Sequence, residues 1–480
     1  MNQAQEIRVR IPPSPTGLLH VGTVKAFLNN FLFARQKGGK IVFRFEDTDK
    51  ERSKKEYADN ILEGLLKLGL SFDEGPFYQS KRNDIYEKYL KKLLQNKNAY
   101  YCFCSVEEIE KKRQEQKAAK LPPRHQCDCS LISLEKAQER AKKEKFCLRF
   151  CVPLNQDIVF NDLIKGEIKV NTKEIADFVI AKDFSSPLYN FCNVVDDMEM
   201  KISHVIRGED GISNTPRQIL IYQALAFKIP YFAHFPLFLN PDKTKLSKRK
   251  NKVSIDDFLQ DGILPEALVN FIALLGFSTA DEREIFSIDE LIREFDFKRV
   301  QKSAAIFDNQ KLLWMNSVYI RKKDFSEFKK LAKIYLSKEK IDFSKKGEAF
   351  LEKVLQTTQE RLKKLSDLPS LVKFFFVEKL SFSTDLFVHE KMKVNLDIAK
   401  KALEKGIEIL EKVEKWRVDF LEEILISEIR KLNWKNGQLL WPLRVALSGE
   451  KFSPGVFELL NIFGKKESLY RLKSAYQLLN

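Results

Sequence analysis

The sequence predicts an α/β protein: a mononucleotide-binding sheet carrying an α+β insertion, followed by an all-α C-terminal domain. Two short stretches and one change of pattern predict it. IRVRI alternates Ile7, Val9 and Ile11 with Arg8 and Arg10, the period of a strand, and runs into the rigid loop PSPTGLLHVGT, Pro13 to Thr23. KLSKR, Lys245 to Arg249, follows the apolar segment HFPLFLN, at the strand edge where open α/β sheets place ligands. From about Asp324 onward, lysine-rich segments nearly free of glycine until the last fifty residues carry Phe350, Val354, Leu362 and Leu365 at helical spacing.

The elements follow in order. Thr23 to Gln36 reads as a helix with Phe27, Leu28, Phe31, Leu32 and Ala34 on one stripe, stopped by Gly38-Gly39 and followed by a strand, KIVFRFE. This order places His20 and Gly22 at a helix N-terminus, where unpaired N–H groups and the macrodipole attract phosphate. The loop lacks GxGxxG, which disfavours a dinucleotide. A helix with Ile61, Leu62, Leu65 and Leu66 completes a first half-sheet, residues 1–85. An insertion, 86–195, opens with an amphipathic helix (Ile85, Tyr89, Leu90, Leu93), passes through paired cysteines and returns through strand-like segments near Asp157 to Ile180. Residues 196–240 resume the sheet, with Thr215-Pro216 opening a helix and HFPLFLN supplying a strand. In 241–323 Ser254 caps a short helix ended by Gly262, and Pro265 begins another reaching Gly276; residues 324–480 form the helical domain.

At 480 residues, 44% hydrophobic and 31% charged, the chain reads as a soluble protein of two to four domains. Its 83 basic against 67 acidic residues leave +16, which favours a polyanionic partner, although a lysine-rich composition alone is also compatible with a solvated surface. MNQAQEIRVR lacks the apolar core of a signal peptide and no segment reaches membrane-spanning length, so a cytoplasmic protein without a membrane partner is expected. Seven cysteines argue against a disulfide framework. Cys102, Cys104, Cys127 and Cys129 form C-x-C-x22-C-x-C, a pattern that suits tetrahedral zinc, with buried reduced thiols as the plainer alternative and His125 a competitor for the fourth position. Cys147, Cys151 and Cys192 read as small core residues.

PSPTGLLHVGT resembles the HIGH signature of class I aminoacyl-tRNA synthetases in its glutamate-specific bacterial form, and KLSKR resembles the KMSKS signature. FLFARQKGGKIVFRFEDTDKERS, LYNFCNVVDDMEMKISHVIRGED and NPDKTKLSKRK leading into ILPEALVNFIALLGF are similar, in the same order, to bacterial glutamyl-tRNA synthetases over roughly the first two-thirds of the chain. The resemblance implies a class I synthetase Rossmann-like catalytic domain, an insertion that binds the tRNA acceptor arm and holds one structural Zn2+, a helical anticodon-binding domain, and a monomer. It implies a glutamate-tRNA ligase that joins L-glutamate to ATP, used with Mg2+, as glutamyl-adenylate and then transfers it to the 2′-hydroxyl of the terminal adenosine of tRNA(Glu), with tRNA(Gln) kept as a second acceptor. His20 would donate to a phosphate oxygen while Lys245 and Lys248 neutralise the triphosphate and the leaving pyrophosphate. Thr16, Gly17, Gly22 and Ser247 would complete the ATP site. Arg10 and Arg207 are the implied carboxylate partners, Glu46 that of the ammonium, and Ser14, Tyr189 and Asn193 neutral hydrogen-bonding groups.

Four departures stand out. Thr23 replaces a second histidine often found in the wider class, Cys129 stands where histidine is usual, Pro12 stands where alanine is common, and AKDFSSPLYNF replaces an expected R-S-D-G-x-P-T-Y-N-F. A glutaminyl-tRNA synthetase would usually read PEPNG in the first loop and carry β-barrels where this chain has helical pattern. A glutamyl transferase acting on a tRNA base would lack the C-terminal third, and a non-catalytic tRNA-binding paralogue is opposed by intact His20, Lys245 and Lys248. Arg361 is a candidate anticodon contact; Trp434 and Trp441 read as core aromatics before stacking platforms.

Overall fold

A computed structural model describes residues 6–119, 125, 127–244, 254–381 and 383–479; Lys245, Ser247 and Lys248 lie outside them. The chain divides into two compact units. One holds the residues up to Leu259 together with Pro265–Leu312, the other Gln260–Leu264 and the residues from Leu313 onward.

The strands of the first unit, among the described residues, are β1 (Arg8–Ile11), β2 (Lys40–Phe45), β3 (Glu74–Tyr78), β4 (Ala99–Cys102), β5 (Cys147–Phe150), β6 (Asp157–Asp162), β7 (Gly166–Asn171), β8 (Phe178–Ala181), β9 (His204–Gly208), β10 (Tyr231–Phe235), β11 (Phe238–Leu239) and β12 (Ala305–Ile306). Seven form one sheet in the order β3-β2-β1-β9-β10-β6-β7, parallel except for the edge hairpin β6–β7. β1 lies inside this sheet and is buried along its whole length, as a central parallel strand must be. Its charged face is therefore not a solvent face. Arg8 makes a two-pronged bond to Glu74 at 2.8 and 2.9 Å, and Arg10 approaches Asp197 at 3.4 Å.

The first helix, Val21–Gln36, starts two residues earlier than its apolar stripe suggests and ends where Gly38 turns with φ 63°. The next helix, Lys55–Lys67, packs on the loop ahead of His20 so closely that a Cβ on Gly64 would stand 2.6 Å from Leu19 Cδ2. Leu66, counted in its apolar stripe, is instead 79% exposed.

Two segments divide in ways the pattern alone did not indicate. HFPLFLN breaks at Pro236, which has no N–H to continue a ladder: β10 ends at Phe235, and β11 pairs with β12. The strand-like run from Asp157 to Ile180 splits between sheets. β6 and β7 extend the large sheet beside β10, whereas β8 joins β4 and β5 in a separate antiparallel sheet. β6 alternates exposed and buried residues, with Ile158, Phe160 and Asp162 inward, as fits a strand near a sheet edge.

The second unit is built from helices and short 3₁₀ turns, including Leu396–Glu411, Asn436–Ser448 and Val456–Leu478, the last interrupted at Gly464. Leu403, Leu410, Leu443 and Leu472 are fully buried in it. Trp441 is a core residue, its Nε1–H donating to Leu386 O at 3.0 Å. Arg361 is occupied by a two-pronged bond to Glu458 at 2.8 and 2.9 Å. No helix among the described residues is long and apolar enough to cross a membrane.

Candidate active site

The carboxyl ends of β1, β2, β9 and β10 open into a cavity of about 680 Å³, at the edge where a doubly wound sheet presents its ligands. Arg10, Ser14, His20, Gly22, Glu46, Tyr189 and Arg207 line it, so residues spread over nearly 200 positions meet in one space. Thr16 and Gly17 are not on its wall; they lie in the preceding turn, where Thr16 N–H donates to Ser14 O at 2.8 Å. Asn193 sits behind the wall, accepting from Arg44 Nη2 at 2.8 Å and donating to Tyr189 O at 3.2 Å.

The polar atoms left over at this wall define what it can hold. Arg10 Nη1, Arg207 Nη1 and Glu46 Oε1 are buried and have no hydrogen-bond partner among the described residues. Buried donors and acceptors of this kind cost about 1–3 kcal/mol each when unmet, so three around one cavity mark a site kept ready for a ligand with complementary groups. Burial pushes the Glu46 carboxyl up to about 7, against the pull of Arg44 and Arg10. Two guanidinium edges and one carboxylate match two carboxylates and one ammonium.

His20 occupies the N-cap position of the first helix, its Nε2 3.2 Å from Thr23 Oγ1. Thr23 thus supports the histidine in the place where a second one was noted as absent. The backbone of His20 forms an antiparallel bridge with Ser254, and Ile255 N–H donates to Leu19 O at 3.0 Å. The chain leaving KLSKR is thereby tied to the loop that carries His20. The departure at Lys182–Ser186 closes as a turn of its own: Asp183 accepts from Ser185 N–H and Oγ, both at 2.7 Å, and Lys182 N–H reaches Ser186 O at 2.9 Å.

A second cluster lies on the smaller sheet. The ligand atoms of Cys102, Cys104, His125 and Cys127 all lie within 4.8 Å of one another, with His125 Nε2 3.4 Å from Cys102 Sγ and 3.2 Å from Cys127 Sγ, and the Cys102 and Cys127 sulfurs 4.0 Å apart. Zinc–sulfur bonds of ~2.3 Å put tetrahedral sulfurs ~3.8 Å apart, so the spacing fits that ion. His125 is the fourth member of this set by spacing, and Cys129 lies beside it in the 3₁₀ turn Asp128–Leu131, packed with Tyr100 and Cys102, so both candidates for the fourth position adjoin the three thiols. Cys147 is not simply core either. It faces Cys102 across the strand pair β4–β5, and hydrogen bonds from Cys127 and Cys147 hold the Cys102 thiol far below its ordinary range.

Several supporting residues escaped the sequence reading. Arg44, fully buried on β2, bonds Asp197 at 2.9 Å and pairs with Asp196 at 3.5 Å; Asp196 also accepts from Arg82, Gln79 and Tyr86. Its only local signal was an arginine inside an apolar strand. Lys25, buried in the first helix, donates to Ala273 O at 2.8 Å, and burial pushes its ammonium down to about 7. Asp162 and His234 stand behind Arg207, joined by a 2.6 Å contact across 72 residues.

Residues 6–314 match the family described as tRNA synthetases class I (E and Q), catalytic domain, and residues 327–476 match the anticodon binding domain family. Glutamate–tRNA ligase 2 of Caldicellulosiruptor saccharolyticus is 39% identical over 97% of this chain and 98% of its own, and glutamate–tRNA ligase of Elusimicrobium minutum is 40% identical over 99% and 100%. Among solved structures, a glutamate tRNA ligase from Elizabethkingia meningosepticum in complex with its amino acid superposes with a TM-score of 0.87 at 31% identity, covering 99% of this chain and all of that one. With this geometry and these full-length similarities, the chain belongs to the class I tRNA synthetases of the E and Q group, a catalytic domain followed by a helical anticodon-binding domain.

Proposed function

We propose that the chain is a glutamate–tRNA ligase in which Arg10 and Arg207 take the two carboxylates of L-glutamate and Glu46 its ammonium. The observation that carries this reading is the trio of unmet buried atoms, Arg10 Nη1, Arg207 Nη1 and Glu46 Oε1, on one cavity wall. Ser14 and Tyr189 add neutral hydrogen-bonding groups, and Asn193 acts through Arg44 and Glu46. Glutamine is rejected because its amide leaves a desolvated guanidinium without a counter-charge. This opposes the glutaminyl alternative.

ATP, used with Mg2+, lies across the N-terminus of the first helix. Gly22 leaves the His20 ring free of crowding, since a Cβ there would press on it at 3.2 Å, and lets the adenosine approach the backbone. His20 donates to a phosphate oxygen, and Mg2+ brought in with ATP would help to neutralise the triphosphate charge. The substrate's α-carboxylate attacks the α-phosphorus, pyrophosphate leaves, and a terminal ribose hydroxyl of tRNA then takes the glutamyl group. Lys245 and Lys248 screen the departing pyrophosphate, with Ser247 beside them. Lys248 is six residues from Ser254, whose backbone bridges His20.

Residues 86–195 receive the acceptor arm, with Cys102, Cys104, His125 and Cys127 holding a structural Zn2+; residues 324–480 grip the anticodon of tRNA(Glu). The enzyme acts in the cytoplasm as a monomer, and its +16 charge suits the polyanionic partner. Charging assays with separated tRNA(Glu) and tRNA(Gln), each given labelled glutamate or glutamine with ATP, test the reading. Glutamate is expected on tRNA(Glu) and glutamine on neither tRNA; charging with glutamine, or with neither amino acid, overturns it. Glutamate on tRNA(Gln) as well adds the second acceptor.

A further inference from the structure

Arg207 has five donor hydrogens, and the structure accounts for those that face away from the cavity. Its Nη2 donates to Gly211 O at 3.0 Å, Thr215 Oγ1 at 2.7 Å and Gln218 Oε1 at 2.9 Å, while its Nε–H meets His234 Nε2 at 3.1 Å. Gly211 packs so tightly against the guanidinium that a Cβ there would overlap it. What remains is Nη1, buried and without a partner, on a residue that lines the cavity.

The bond to His234 fixes a proton. Guanidinium N–H groups only donate, so His234 Nε2 must accept, and the ring's one proton must sit on Nδ1. Nδ1 lies 2.6 Å from Asp162 Oδ2, which accepts it. The other carboxylate oxygen, Oδ1, takes the backbone N–H groups of Ile164 at 2.9 Å, Lys165 at 2.8 Å and His234 at 3.3 Å. Asp162 is the last residue of β6 and His234 lies in β10, neighbouring strands, and β10 pairs in turn with β9, with His234 directly opposite Arg207. Asp162, His234 and Arg207 therefore form a line across three adjacent strands that ends at the cavity. Burial, together with the nearby Arg207 charge, keeps His234 below its ordinary range and hence neutral, as an acceptor must be.

We propose that Asp162 and His234 are positioning residues that fix the tautomer facing Arg207, and through it the affinity for the amino acid, without touching substrate. The proposal rests on the reading of Arg207 as a carboxylate ligand. The logic is that of an outer-shell partner which orients a contact group and whose loss typically costs 10–100-fold.

Asp162→Asn isolates the effect. Asparagine keeps an oxygen for the three backbone N–H groups, so the turn after β6 survives, but puts an NH2 where Oδ2 stood. His234 must then accept at Nδ1 and carry its proton on Nε2, pointing N–H at N–H toward Arg207. The test uses the full-length enzyme, tRNA charging at steady state, and thermal melting. Asp162→Asn should raise KM for glutamate about tenfold or more, leave KM for ATP within about twofold, and leave Tm nearly unchanged. His234→Leu should behave alike, and His234→Gln, which again offers one acceptor and one donor, should recover part of the loss. The proposal is overturned if Asp162→Asn and His234→Leu leave KM for glutamate within about twofold of the parent while Arg207→Gln raises it, or if both substrates' KM values rise together. If Arg207→Gln itself leaves KM for glutamate unchanged, the carboxylate reading fails first and takes the relay with it.

Discussion

Each unit of this protein buries an arginine, and the two differ in what is left unbonded. Arg471, in the helical unit, is 3% exposed and spends every nitrogen internally: Nη1 on Phe374 O at 3.0 Å and Leu447 O at 2.8 Å, Nη2 on Val377 O at 3.1 Å, Nε on Glu467 at 2.8 Å. The Phe463 ring covers its guanidinium at 4.0 Å. Arg207, in the catalytic unit, is held as firmly but leaves Nη1 unmet beside a cavity. Burial of a charge therefore does not distinguish architecture from function; in this pair the distinction is an unspent donor on a residue that lines a cavity. A staple satisfies itself, whereas a binding group is stabilised fully only when its ligand arrives.

The largest expected effect breaks this contrast on the catalytic side. Arg207→Gln should lower kcat/KM for glutamate about 10²–10³-fold, the range for truncating one member of a desolvated charge pair. Arg471→Met should do the reverse. It strands three carbonyls and Glu467, so the urea midpoint should fall by the equivalent of more than about 2 kcal/mol while KM for glutamate holds. If the two variants gave the same pattern, the distinction would be lost.

The cysteine cluster sharpens the comparison, because there too ligand atoms from distant positions converge on one point. The purified protein should carry about one zinc per chain. Cys102→Ser should lose that metal, measured by elemental analysis, and lower Tm, while KM for glutamate stays close to the parent value.

Glu46 gives the smallest and most pH-dependent signal. Its carboxyl is pushed up to about 7 by burial, so between the ordinary value of 4.5 and 7 the folded chain holds a proton that the unfolded chain releases. Stability is then lost as pH rises through that window, and the ionised group costs most above 7. Glu46→Gln should raise Tm modestly at pH 8 and leave it unchanged at pH 4.5, and should weaken glutamate binding most at pH 8, where the parent carboxyl is ionised. In the parent, KM for glutamate should fall as pH rises through 7.

The strand, loop, helix and strand from Ile7 to Phe45 were legible because periodicity, prolines and the Gly38-Gly39 stop are local signals. The helical second unit was legible for the same reason. Arg10, Glu46 and Arg207 were reachable through resemblance, and their convergence in one cavity gave that resemblance a physical meaning. Asp162 and His234 were not reachable, since nothing in an aspartate before Leu163 or a histidine before Phe235 shows that two strands 72 residues apart become neighbours. For the fourth member of the cysteine cluster the spacing offered both Cys129 and His125, and the fold brings both beside Cys102, Cys104 and Cys127. Pattern along the chain foretells elements; it does not foretell which buried charges will share a wall.

Gly64 carries no chemistry, yet the helix it belongs to touches Leu19, the residue before His20, with no room for even a methyl group. Any side chain there must displace the Leu19 side chain, whose Cδ2 a Cβ would meet at 2.6 Å. In a saturation screen read by cell growth, position 64 should therefore tolerate alanine better than larger residues, a steric limit exercised from behind the catalytic surface.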